Sequence, residues 1–213
     1  MNFSFFSFLK KYSYIILIFF IIAGMFNPTI ALTAIICMIG PIFLAFLGKG
    51  RFWCGNICPR GSFFDNVIIK FSRKNKVPKF LKSKLFRTSV IVFMFYMFGN
   101  GIYKNWGNIV GIGMVFYRMI VVTTFVGIIL SFFYNNRTWC NFCPMGSIAS
   151  LISYFKKDRK KLTVSLSCIS CKLCKMTCPM GIVPYDYKGN PIDHPDCIQC
   201  GKCINICPKN AIR

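Results

Sequence analysis

The chain has 213 residues, 55% of them hydrophobic and 24 of them Phe, with a formal net charge of +22. That apolar content is too high for an ordinary soluble domain of such charge. The basic residues also argue against a nucleic-acid surface: eleven lie from Lys49 to Arg87 and five from Lys156 to Lys161, beside apolar runs, the positive-inside signature of a membrane protein.

The chain opens with Met1 to Lys11, closed by Lys10-Lys11. No small-residue cleavage site follows the apolar stretch, so the spacing predicts an uncleaved anchor. Tyr12 to Phe26 is apolar, Asn27-Pro28 interrupts it, and Ile30 to Leu47 is apolar again. Asn-Pro marks a turn, which predicts a helical hairpin with its tip outside. Fifteen residues make only about 22 Å of helix, so snorkelling of Lys10 and Lys11 or local bilayer thinning has to cover the shortfall. A single kinked helix is the alternative and would invert everything downstream. The charges favour four spans, at about 12–26, 30–47, 85–99 and 117–134. With four, 25 of the 27 basic residues share one side, leaving Lys104 and Arg118 outside. The stretch Gly99 to Tyr117, rich in Gly, Trp and Tyr, is then expected to be an outer loop or interfacial segment.

An internal repeat lies within this part. Arg51-Phe52-Trp53-Cys54-Gly55-Asn56-Ile57-Cys58-Pro59-Arg60-Gly61-Ser62 matches Arg137-Thr138-Trp139-Cys140-Asn141-Phe142-Cys143-Pro144-Met145-Gly146-Ser147, with one residue fewer between the cysteines. Each copy follows a hairpin and precedes an amphipathic stretch. Phe63, Phe64, Val67, Ile68 and Phe71 fall on one helical face, as do Ile148, Leu151, Ile152 and Phe155. Ser62-x-x-Asp65 reads as a capping box. Both stretches end in basic clusters, as helices on the inner leaflet do. Two parallel copies around an axis along the membrane normal would bring Cys54, Cys58, Cys140 and Cys143 to one depth. Four thiolates there could hold a third iron–sulfur cluster, a mononuclear iron or zinc; unligated thiols or two redox-active pairs are the alternatives. Cys37, mid-span, reads as a small buried hydrophobe.

Residues 1–161 therefore form a membrane domain, and 162–213 a small module carrying eight cysteines. These read Cys168-x2-Cys171-x2-Cys174-x3-Cys178-Pro179 and Cys197-x2-Cys200-x2-Cys203-x3-Cys207-Pro208. This is bacterial ferredoxin spacing, in which the fourth cysteine of each run serves the other run's cluster. Cys168, Cys171, Cys174 and Cys207 are paired on one 4Fe–4S cube, and Cys197, Cys200, Cys203 and Cys178 on the other. Two zinc sites are the competing reading, but those normally use separated C-x2-C pairs. Disulfides conflict with a reducing inner side. The expected fold is an α-helical membrane domain of two duplicated hairpins plus a C-terminal α+β ferredoxin-like module with two 4Fe–4S clusters. Within the module Lys188-Gly189-Asn190 should turn between two short extended segments. Ile169, Ile182, Ile198, Ile204 and Ile212 should pack against the cubes. Lys172, Lys175, Lys202 and Lys209 should favour an acidic donor such as a soluble ferredoxin or flavodoxin.

One histidine, His194, is too few for a bis-histidine haem or a Rieske centre, and nothing in the sequence pairs with it. The five acidic residues, Asp65, Asp158, Asp186, Asp193 and Asp196, all fall on the inner side, so no carboxylate relay crosses the membrane. No Gly-rich phosphate loop follows a strand. These patterns point to carrying electrons rather than to bond chemistry on a small substrate, and no catalytic residue is assigned. A redox- or iron-sensing regulator or a metal-centre maturation factor is the alternative.

The paired Trp-Cys…Cys-Pro-x-Gly motifs after membrane hairpins, followed by two ferredoxin runs, resemble the NapH/NosR-like family of membrane iron–sulfur proteins over nearly the whole chain. The resemblance implies four membrane helices at the cell's inner membrane, cytoplasmic termini and clusters, and electron exchange with a membrane-associated partner. It also implies a link to quinol and delivery toward an extracytoplasmic reductase or flavoprotein. The chain departs in its second pair, C-x2-C-P where the family shows C-x3-C-P. It lacks the large flavin domain of the NosR branch, so the NapH-like branch is the nearer.

Overall fold

The computed structural model describes residues 3–73, 75, 77–156 and 160–213, with side chains from residue 9 onward. Asp158 and the basic residues Lys74, Lys76, Lys157 and Arg159 lie outside the described residues, as does the start of the expected anchor, Met1-Asn2. Helix α1 spans Phe3–Phe26. It ends where Asn27 turns extended (φ −135°, ψ 93°) and Pro28 opens a 3₁₀ turn, Pro28–Thr33, because the proline ring disfavours helical backbone before it. At 24 residues α1 is about 36 Å long. The candidate span within it is Leu9–Phe26, so Lys10 and Lys11 fall in its first turn, where the expected snorkelling applies.

Helix α2, Ala34–Leu44, runs into a wide π-type turn, Ala45–Lys49. The short helices α3 (Phe52–Asn56), α4 (Pro59–Asn66) and α5 (Lys79–Lys82) follow. Helices α6 (Lys84–Lys104) and α7 (Ile109–Phe133) form a second hairpin. The stretch 99–117 is thus not a loop: only 105–108 separate the helices. Gly99 and Gly101 sit inside α6, as apolar surroundings permit, while Tyr103 and Trp106 stand 80% and 81% exposed at the tip. By length and composition four segments could cross a membrane: Leu9–Phe26, Pro28–Lys49, Lys84–Lys104 and Ile109–Phe133.

Exposure follows the inverted pattern expected of lipid-facing helices. Ile16, Phe19, Ile36, Phe93, Phe125 and Phe133 are exposed, whereas Ser13, Thr123, Thr124 and Ser131 are buried. The buried hydroxyls Thr123 and Ser131 donate to the carbonyls of Met119 and Gly127 (2.7 and 2.8 Å), so neither donor is left unpaired in an apolar interior.

The motif helices lie across these long ones. Pro59 is the first residue of α4 and Cys58 its N-cap. Ser62 is therefore a turn inside, and the expected capping box does not form. Ser62 instead donates to the Lys10 carbonyl (2.7 Å) and accepts the Tyr14 N–H (3.2 Å), holding α4 on α1. Phe64 and Ile68 are buried with Trp139 and Phe142 beside Gly127 of α7. Helix α8, Pro144–Phe155, packs on α2 and α6. Its small residues Gly146, Ser147, Ala149, Ser150 and Ser153 are buried, and Leu151 and Phe155 of its apolar face are exposed, as in a helix lying on a leaflet.

The C-terminal module is built on residues 162–165, which pair with 189–192 on one side and 211–213 on the other. Helices α9 (Leu173–Thr177) and α10 (Lys202–Asn205) follow the first two cysteines of each run. Gly189, at φ +80°, makes the expected turn, but a 3₁₀ turn, Pro184–Tyr187, precedes it instead of an extended segment. Ile182, Ile198 and Ile212 are core and Ile204 packs beside them. Ile169 is 59% exposed, yet it lines the cavity of Cys168, Cys171, Cys174 and Cys207. The module docks tightly on the motif region: a Cβ at Gly55 would collide with the Ile198 carbonyl, and Asn56 donates to the Gln199 carbonyl at 3.2 Å.

Candidate iron–sulfur centres

The two ferredoxin runs fold alike. The residue before and the residue after each second cysteine have left-handed backbone: Ser170 and Lys172 at φ +53° and +66°, Gln199 and Gly201 at +50° and +75°. Three of these four are not glycine, and strain of this kind persists where the surroundings impose it. Alternating right- and left-handed residues turn successive N–H groups toward one concave face, a nest suited to an anion. Cys168, Cys171, Cys174 and Cys207 line one small cavity. Ala211 donates its N–H to the Cys207 sulfur at 3.3 Å. In the second group burial first, then the neighbouring Cys200, Cys197 and Cys178 thiols, push Cys203 up to about 12. Cys178 thus stands with the second run, and Cys207 with the first. Among the described residues no three Cys, His, Asp or Glu side chains are gathered closely enough for one metal ion. A single zinc draws its sulfurs to about 2.3 Å from itself, whereas a cubane takes one thiolate at each of four separated corners. The donor sets and their nests fit cubanes.

The third group sits in the membrane domain. Cys58 and Cys143 are the N-caps of α4 and α8, each followed by proline. Cys54 lies in α3, and Cys140 in the 3₁₀ turn Trp139–Asn141. The unequal spacing is absorbed locally. Cys58 N–H bonds to the Trp53 carbonyl (2.9 Å), five residues back, and Cys143 N–H bonds to the Trp139 carbonyl (3.0 Å), four back. Both loops close on the equivalent Trp, one by a wider turn. Burial pushes Cys54 up to about 12, with Arg51 pulling against it and Cys58, Cys143 and Cys140 adding repulsion. A hydrogen bond from Cys37 first, then the Arg60 and Arg137 charges, draw Cys58 down to about 5 against its burial.

Three guanidiniums surround this group. Arg51 donates to the Cys140 carbonyl (2.6 Å) and to Asp196 (2.9 Å). Arg137 donates to the Cys54 carbonyl (2.7 Å), to the Cys140 sulfur (3.6 Å) and, through two nitrogens, to Asp65. Arg60 reaches the Cys143 sulfur at 3.4 Å and Thr123 at 2.8 Å, with its charge 5.5 Å from the Trp139 ring centre. Burial would raise the Asp65 and Asp196 carboxyls, but Arg137 and Lys202 around the first, and Arg51 and Arg87 around the second, hold both well below the usual range. Sequence reasoning gives Asp65 only the capping-box role and Asp196 none, since their partners lie 72 and 145 residues away. His194 is paired after all: its Nδ1 accepts the Asp196 N–H at 3.1 Å. Lys202 is bound to Asp65 at 3.0 Å, leaving Lys172, Lys175 and Lys209 on the surface.

Between the long helices a cavity of about 400 Å³ reaches from Phe20, Ile36 and Phe98 to Cys58, Cys143 and Arg60.

A helical membrane part joined to twin cubane loops defines the class, a membrane-type ferredoxin. A family model described as "4Fe-4S binding domain" matches residues 30–78 and 117–161, and one described as "4Fe-4S dicluster domain" matches 167–212. An uncharacterised protein of Methanocaldococcus jannaschii is 30% identical over 190 residues, 85% of this chain and 70% of its own length. The ferredoxin-type protein NapH of Haemophilus influenzae is 24% identical, covering 86% of this chain and 68% of its own. A component of an ion-translocating oxidoreductase complex from Methanosarcina acetivorans is 37% identical over 60 residues, 28% of this chain and 23% of its own. No solved structure matches. The chain belongs to the membrane-type 4Fe–4S ferredoxin family. It is an iron–sulfur electron-transfer protein of the membrane.

Proposed function

We propose that the chain is a conduit that passes electrons between a cytoplasmic donor or the quinone pool and a membrane or extracytoplasmic redox partner. Its membrane domain is residues 1–161, two duplicated hairpins at the inner membrane with both termini cytoplasmic, and its ferredoxin-like domain is 162–213. Cys168, Cys171, Cys174 and Cys207 hold one 4Fe–4S cluster, and Cys197, Cys200, Cys203 and Cys178 the other. Cys54, Cys58, Cys140 and Cys143 hold a third iron–sulfur centre.

The observation that carries this reading is continuity. Cys54 and Cys140 of the membrane domain pack into the same core as Cys178, Cys197 and Cys200. The clusters supply reversible one-electron transfer when bound. The chain's own part is to fix their order: Ile182, Ile198 and Ile212 exclude water between them. Exposed Lys172, Lys175 and Lys209 favour an acidic donor at the outer end. The cavity beside Cys58 offers a lipid-soluble carrier access at the inner end. Crosswise packing supports duplication, since α4 rests on α1 and reaches α7 while α8 rests on α6 and α2.

Anaerobic purification in detergent with iron, sulfide and EPR measurement tests the reading. About twelve irons with matching sulfide are expected, four per cube, with reduction by a low-potential ferredoxin. Zinc without acid-labile sulfide would overturn it.

A further inference from the structure

We propose that Arg51 and Arg137 are crossed positioning residues, each registering the other motif's cysteines, so that the two arginines together set the assembly and the surroundings of the four-thiolate centre. This rests on the reading that Cys54, Cys58, Cys140 and Cys143 hold a third cluster.

Each arginine stands three residues before the first cysteine of its own motif, yet it bonds the carbonyl of the first cysteine in the other: Arg51 to Cys140 at 2.6 Å and Arg137 to Cys54 at 2.7 Å. Each also passes over the glycine of the opposite Cys-Pro-x-Gly. A Cβ built on Gly146 would come to 2.6 Å from Arg51, and one on Gly61 to 2.5 Å from Arg137. The exchange is reciprocal in both contacts. Both side chains are 1% exposed, and burying two guanidiniums is unfavourable unless they are paired and hydrogen-bonded. Asp65 and Asp196 supply one carboxylate each. Arg60, at the same site, bonds a sulfur and a hydroxyl. Three guanidiniums against two carboxylates leave the centre positive, and Asp65 and Asp196 are further shared with Lys202 and Arg87. Four thiolates carrying a cluster are anionic and would offset that excess. The planar fork of arginine suits this role, because one group can hold a carbonyl and a carboxylate in fixed directions at once.

The crossing also joins this centre to its neighbour. Arg51 connects the Cys140 carbonyl to Asp196, the residue before Cys197. Removing the Arg51 charge should therefore make an adjacent anionic cluster harder to reduce, shifting its midpoint potential to more negative values.

The test is iron and sulfide content with EPR-monitored redox titration of the full chain, purified anaerobically. The variants are Arg51→Gln, Arg137→Lys and the paired Arg137→Gln/Asp65→Asn, which leaves no carboxylate buried alone. We expect the paired variant to fall from about twelve irons to about eight, keeping the signals of the two ferredoxin cubes, which report that the protein is folded. Arg51→Gln should show a lowered potential. Arg137→Lys, which keeps the charge but not the fork, should keep the third signal with altered line shape. Retention of about twelve irons with unchanged potentials and line shapes in all three variants would overturn the proposal. If wild type itself holds about eight irons, and Cys54→Ser and Cys140→Ser change nothing, it is the third-cluster reading that has failed.

Discussion

Asp65 shows how far one side chain can be tied. Its carboxylate, 5% exposed, meets Arg137 at 2.8 Å, Lys202 at 3.0 Å and the Asn136 amide at 2.7 Å. A carboxyl held below its unfolded value near 3.9 stabilises the fold above that pH, and the contribution is lost as pH falls through and below about 4. Thermal unfolding in detergent should therefore be flat from pH 8 to about 5 and fall steeply in stronger acid. Asp65→Ala, which strands Arg137, should cost about 3 to 5 kcal/mol at neutral pH and make that acid limb shallower, with Asp196 supplying the remainder; an unchanged limb would refute the assignment. The crossed thiols give a second residue-scale expectation. Cys178→Ser should damage the cluster of Cys197, Cys200 and Cys203 and spare that of Cys168, Cys171 and Cys174, as read by EPR of each centre. The eight ferredoxin cysteines are legible from spacing alone because two-residue gaps are a local code. The arginine–aspartate bonds are not, since their partners are distant in the chain. Their one trace in the sequence is that Arg51 and Arg137 stand at the same offset in the two motifs.

At the scale of elements, apolar runs locate the hairpins but not their ends. Gly99 to Tyr117 reads as a loop because Gly, Asn and Trp dilute its hydropathy, yet backbone without water must bond to itself, so both helices continue through it to the tip. The capping box fails for the opposite reason: Pro59, pre-set for the first helical position, starts α4 a turn earlier than Ser62 suggests. The amphipathic stretch of α8 keeps the direction a leaflet helix needs, because its small residues seek the protein and its large ones the lipid. The seam between α3 and the ferredoxin module is a tight contact between the two parts, set by Gly55 against the Ile198 carbonyl. Gly55→Val should push them apart. We expect faster limited proteolysis after residue 161 and slowed electron exchange between the second and third centres, with iron content little changed; unaltered proteolysis and exchange would show that the seam tolerates a side chain.

For the whole molecule, charge is the organising quantity. Lys104 and Arg118 are the basic residues of the half of the second hairpin nearer its tip, against 25 elsewhere. A reporter fused after Arg213 should accordingly be active only in the cytoplasm, and one inserted at Asn105 only outside; the reverse would invert the topology.

The contact of Asp196 with Arg51 and Arg87 makes everything before the C-terminal module depend on a residue that is made late. Ribosomal synthesis delivers the hairpins first, so the nascent membrane part must wait with two cations turned inward until the rest of the chain emerges. A fragment truncated before Thr163 would retain those cations without their counter-ion. It is therefore expected to be cleared by quality-control proteases, and a separately expressed C-terminal half should rescue it only if it still carries that aspartate.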